Sequence, residues 1–175
     1  MPIKFKNKEY ETAPQGLHNA VCVDVVDLGI VDTPFGPADQ IKIVWQLEEE
    51  NKKGYRFLVS KRYNPSKSPK SNLRKMLEAW RLKPFTKEEM NEFDIEKLIG
   101  VNCQITIGHK VTDDATYANV LAVTAQARGT NKLFPSDYTR EIERPGYVPP
   151  NSIGTTQYHE EQPMEDEITD DDIPF

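Results

Sequence analysis

The chain has 175 residues, of which 37% are hydrophobic and 29% charged, and its formal net charge is -6. That length holds one domain, or one domain with a tail. It contains no apolar run of about 18 residues to cross a membrane, residues 1–10 lack the apolar core of a signal peptide, and Cys22 and Cys103 make no disulfide framework, so a reducing cytoplasm fits.

Residues 17–28 alternate Leu17, Val21, Val23 and Val25 with His18, Cys22 and Asp24, the pattern of a strand. Gly29 is expected to open a loop, and Thr33-Pro34-Phe35-Gly36-Pro37 is turn chemistry. Residues 40–48 alternate again, with Ile41, Ile43, Trp45 and Leu47 on one face and Lys42, Val44, Gln46 and Glu48 on the other. Asn51-Lys52-Lys53-Gly54 reads as a hairpin turn into a third strand, 55–63. Ser68-Pro69 then predicts a helix start, and Leu73, Met76, Leu77 and Trp80 form the apolar stripe of a helix ended by Pro84. Thr86 and Glu89 fit a capping box, Asp94 caps a further turn closed by Gly100, and strands follow at 101–108 and 117–125. Three strands, a helix and two strands is the order of the OB-fold, a five-stranded barrel with the helix between strands three and four.

Charge is divided along the chain. Residues 151–175 hold eight acids and no Lys or Arg, so residues 1–150 carry 22 basic against 20 acidic side chains. Within that body, Arg56 to Lys83 holds nine basic residues and one acid, Glu78. Such an asymmetry points to nucleic acid or to self-regulation. Tyr55, Phe57, Tyr63 and Trp80 are interleaved with the basic residues. Cations neutralise phosphates, and aromatic faces stack on the open bases of a single strand. A solvated basic face is the plainer explanation of the same run.

Strand parity places Lys42, Arg56 and Arg62 outside, on the surface of strands two and three that OB-folds use for binding. Lys61 has inward parity but lies at a strand end where the barrel opens. Lys70, Arg74 and Arg81 fall within about 40° of one another on the helix and make a ridge, with Lys67 just before it. Trp45 and Trp80 share parity with core residues. Phe35, at a Pro/Gly loop tip, and Tyr63 and Tyr117, near strand ends, are the stacking candidates.

Catalytic and metal readings are weak. His18 and Cys22, four apart on a strand, lie about 13 Å apart along its axis, too far to share one metal; Cys22 and Cys103 read as core. No phosphate-binding Gly-rich loop or nucleophile elbow is present, and Glu50-Asn51-Lys52 is half of a nuclease pattern placed in a turn. No cofactor and no enzyme activity are expected.

After about Ala127 the texture changes. Leu133, Phe134, Tyr138 and Ile142 suit a strap packed on the barrel, and from Val148 the composition is that of a disordered tail. The expected organisation is a binding domain at 1–128, a strap at 129–147, a linker at 148–169 and a tip at 170–175. A tail of about 28 residues spans roughly 30 Å, enough to reach its own basic groove. The chain ends Asp170-Asp171-Asp172-Ile173-Pro174-Phe175: carboxylates around two apolar side chains, a short ligand for a basic-rimmed hydrophobic pocket.

That hexapeptide closely resembles the acidic tip of bacterial single-stranded DNA-binding proteins. The stretch from Val59 through Trp80, followed by Phe85-Thr86, resembles phage- and prophage-encoded members. The resemblance implies sequence-independent binding and protection of single-stranded DNA by an OB-fold body. It also implies a nucleoid-associated protein whose residues Asp170, Asp171, Asp172, Ile173, Pro174 and Phe175 dock onto replication, recombination and repair proteins. The body departs from the standard bacterial pattern, which leaves monomer, dimer or larger homo-oligomer open. Two other readings stand beside this one: an OB protein that prefers duplex DNA or anneals strands, and a scaffold or regulator of DNA-processing enzymes that binds no DNA.

Overall fold

The computed structural model describes residues 11–150 and Phe175. The body is mainly β. Strands β1 (Gly16–Thr33), β2 (Gly36–Glu50) and β3 (Arg56–Tyr63) precede helices α1 (Asn72–Arg81) and α2 (Lys87–Glu92); β4 (Asn102–Val111) and β5 (Thr116–Thr124) follow. All five strands form one antiparallel sheet in the order β3-β2-β1-β4-β5. The expected five-stranded barrel is not closed, because no ladder joins β3 to β5. Across that seam the Lys61 ammonium donates to the Val120 carbonyl at 3.3 Å.

The first hairpin is longer than the pattern of 17–28 and 40–48 implied. Gly29 does not open a loop: it sits at a register shift, at φ 63°, with its N–H donating to the Asp27 carboxylate at 2.8 Å. Pairing resumes beyond this bulge and runs to Thr33 opposite Gly36, so Pro34 and Phe35 alone make the tip. A bulge lets a strand bend without ending.

The helix also starts later than Ser68-Pro69 suggests. Ser71 is the N-cap, its hydroxyl accepting from the Arg74 N–H at 3.1 Å, while Ser68 closes a turn with its carbonyl on the Ser71 N–H. Two serines competed for the cap, and the one three residues before a free N–H won. The Thr86–Glu89 capping box forms as the sequence indicates.

One face of the sheet and the stripe of α1 enclose the core. Ile43, Trp45, Leu47, Leu77, Trp80 and Ile105 are fully buried, each aliphatic one contributing roughly 1.5–3 kcal/mol of burial. Trp80 is fixed further by its indole N–H, which donates to the Asn102 carbonyl at 2.8 Å. Cys22 and Cys103 are free and buried here. Burial pushes the Cys22 thiol up to about 12 and the Cys103 thiol up as well, so both stay protonated at neutral pH.

A second, smaller core lies on the outer face of β1 and β2. Val21, Val23 and Val44 are covered by Leu133, with Tyr138 beside them. Two side-chain amides hold this strap as a neighbouring strand would. Asn102 exchanges hydrogen bonds with the Leu133 backbone at 3.0 and 2.7 Å, and Gln46 with the Ser136 backbone at 2.6 and 2.9 Å.

Asp24 anchors the strap's far end. Its carboxylate is fully buried and accepts from the Tyr138 hydroxyl (2.8 Å), the Arg140 Nε (3.1 Å) and the Glu141 N–H (2.9 Å). Burial alone would raise its pKa, but these donors and the Arg140 charge hold it below the ordinary carboxylate value. The converse holds for Tyr138, whose hydroxyl is raised by burial and by donating to Asp24.

Two outcomes are expected. Asp24→Ala should cost about 3 kcal/mol in urea denaturation, because it leaves Arg140 and buried donors without their acceptor. A lowered pKa also means that Asp24 contributes fully above its unfolded value of about 3.9 and loses that contribution as pH falls through the lower folded value. Acid unfolding followed by circular dichroism should show that loss in the wild type and not in Asp24→Asn.

Candidate nucleic-acid interface

The β3–α1 junction gathers part of the basic run. An open cleft of about 520 Å³ is lined by Lys61, Arg62 and Lys70, with Gln40, Tyr63, Asn64, Asn72 and three serines around them. No carboxylate lines it. Its floor forms where β3 ends at Tyr63 and the chain turns through Asn64 to Ser71 into α1. Arg62 lies opposite Lys42 in the β2–β3 register, and Arg62, Lys61 and Lys70 are exposed. Among the described residues neither Arg62 nor Lys70 has an acidic partner. Cations without an acidic partner among the described residues, neutral hydrogen-bonding groups and no lining acid suit a polyanion.

Other expected contacts are engaged elsewhere. Lys42 is paired with Glu141 of the strap, and the Arg56 guanidinium donates to the Phe134 carbonyl at 2.8 Å. The outer face of β2 is therefore covered where a bare binding surface was expected. The strap's contribution was not visible from strand parity, which says which way a residue points and not what lies above it.

The helical ridge is likewise dispersed. Arg74 bonds Glu78 at 2.8 Å and the carbonyls of Lys67 and Phe85, both at 3.0 Å. Arg81 is 4% exposed, donates to Glu89 at 2.6 Å and stacks on the Phe85 ring at 4.1 Å. Burial would raise the Glu89 pKa, but Arg81 and Thr86 hold it below its ordinary value. Both arginines fasten α1 to the segment that follows it. Only Lys70 of the three faces the cleft. Lys67 is exposed, with its ammonium 3.5 Å from the Asn91 side chain.

The aromatic candidates separate in the same way. Tyr63 borders the cleft, but it is 4% exposed and its ring packs in the core. Burial raises its hydroxyl's pKa. Phe35 stands fully exposed at the hairpin tip, and Tyr117, opposite Lys110, is half exposed. Exposed Phe134 and Tyr55 are further aromatic groups that sequence reasoning did not single out as binding residues. Phe134 belongs to the strap, and Tyr55 lies just before β3, beside the irregularity in β2–β3 pairing.

All of the expected linker except Val148–Pro150 lies outside the described residues, as do Asp170 through Pro174. Phe175 lies against α1, 5.0 Å from the Trp80 ring, and not in the cleft. No helix among the described residues is long and apolar enough to cross a membrane. No family model matches the chain, and no curated protein matches it.

The arginines can be separated by what their loss does to folding. Arg81→Ala should destabilise the protein by about 3 kcal/mol, since it strands a partly buried Glu89. Arg62→Ala should change stability by less than about 0.5 kcal/mol. Urea melts of the two variants would show equal losses only if Arg62 were also a packing residue.

Proposed function

We propose that this protein binds single-stranded DNA without sequence preference and without catalysing a reaction on it. The observation that carries the reading is the acid-free cleft of Lys61, Arg62 and Lys70, set in a sheet whose hairpin ends in a bare Phe35. Phosphates would be neutralised in the cleft, and bases would stack on Phe35 and Tyr117. Lys67 extends the cationic surface, whereas Lys42 and Arg56 hold the strap and Arg74 and Arg81 hold α1 to the segment after it.

We also infer an OB-like body. In that fold the first strand pairs with both the second and the fourth, as β1 does here with β2 and β4. The remaining step to a barrel is β3–β5 pairing, and Lys61 reaches across that gap. Asp170 to Phe175 is proposed to recruit replication, recombination and repair proteins, on the strength of its likeness to the bacterial tip.

Titration against poly-dT and against a duplex of equal length tests the reading. Poly-dT should bind far more tightly; tighter duplex binding would select the duplex or annealing alternative, and no binding to either would select the scaffold. Arg62→Ala and Lys70→Ala should each lower the salt slope by roughly 0.7 for every phosphate left unneutralised, with weakening that does not depend on sequence.

A further inference from the structure

We infer that the helical end of the body is a binding site for a phenylalanine carried on an acidic peptide, and that its resident ligand is the chain's own Phe175. The Phe175 ring meets Trp80 edge to face, with centroids 5.0 Å apart and planes at 73°. A second aromatic neighbour is Phe93, at 5.8 Å. Phe93 packs in turn on Phe85 at 5.2 Å, which makes the aromatic wall continuous. Edge-to-face contact of this kind is directional, so it selects an aromatic guest over an aliphatic one.

The wall is built without help from its guest. Trp80 is held by its hydrogen bond to Asn102, Phe85 by the stacked Arg81 guanidinium, and α2 by its capping box. A site that is rigid before binding loses little entropy when filled. The guest's own segment is acidic: residues 151–175 carry eight acids and no Lys or Arg.

The seat and the cleft are separate. Asn72 lines the cleft and Trp80 the seat, which puts them about 12 Å apart along the α1 axis. The seat therefore retains Phe175 without filling the cationic cleft. If Phe175 also serves partner capture, as the proposed function holds, seat and partner compete for one ring. A seat filled nine-tenths of the time would weaken apparent partner affinity about tenfold.

The seat itself does not rest on DNA binding, and its test contains neither DNA nor a partner. Two-dimensional amide NMR of the full chain resolves the indole N–H groups of Trp45 and Trp80. Phe175→Ala should shift the Trp80 signal by removing a ring current, and Phe93→Ala should shift the same signal. Adding the synthetic peptide Asp-Asp-Asp-Ile-Pro-Phe to the Phe175→Ala protein should return it toward its original position. Indole signals unmoved by Phe175→Ala, or a variant spectrum unmoved by the peptide, would overturn the site. Signals that shift on tenfold dilution of the unmodified protein would assign the guest to a second copy and overturn the intramolecular assignment.

Discussion

A buried carboxylate with three donors sets the geometry of the outer surface. Asp24 lies in a strand buried on both faces and cannot reach water. Ionised in such a place, it must be surrounded by donors or it destabilises the fold. Tyr138, Arg140 and the Glu141 N–H supply them, and all three come from one segment. The strap must therefore follow one path over β1 and β2. That path decides that Lys42 and Arg56 support the strap, and that the open cationic surface lies further along, at the β3–α1 junction.

The helices show the same division between support and display. Arg74 and Arg81 belong to the most basic stretch of the chain, yet each is held by a glutamate and neighbouring groups. A charge tally from Arg56 to Lys83 counts them with Lys70 and Arg62, although they have different roles. The guanidinium, with five donors in a fixed fork, suits this work of joining α1 to the turn and helix after it.

Much of the fold was legible in the sequence because it depends on local periodicity. The five strands, the stripe of α1 and the Thr86 capping box follow from alternation, from spacing at i and i+4, and from side chains that cap their own helix. Trp45 and Trp80 are buried as their parity required. What was not legible depends on contacts distant in the chain. Gln46 and Asn102 read as ordinary polar positions, and nothing local shows that each grips a backbone segment far along the sequence. A signal for Asp24 did exist: an acid inside Val21-Cys22-Val23-Asp24-Val25-Val26, a run apolar on both faces. Its place at a strand end does not reveal that the Tyr63 side chain packs inward with Phe57 and Val59 while it borders the cleft.

The gap between β3 and β5 has a mechanical consequence. Elsewhere the strands are joined by ladders of backbone hydrogen bonds, and moving one strand would break several together. Among the described residues, one lysine side chain bonds across this gap, at a net cost of about 1 kcal/mol to release. Because Lys61 also lines the cleft, the width of the cleft is coupled to the softest line in the sheet.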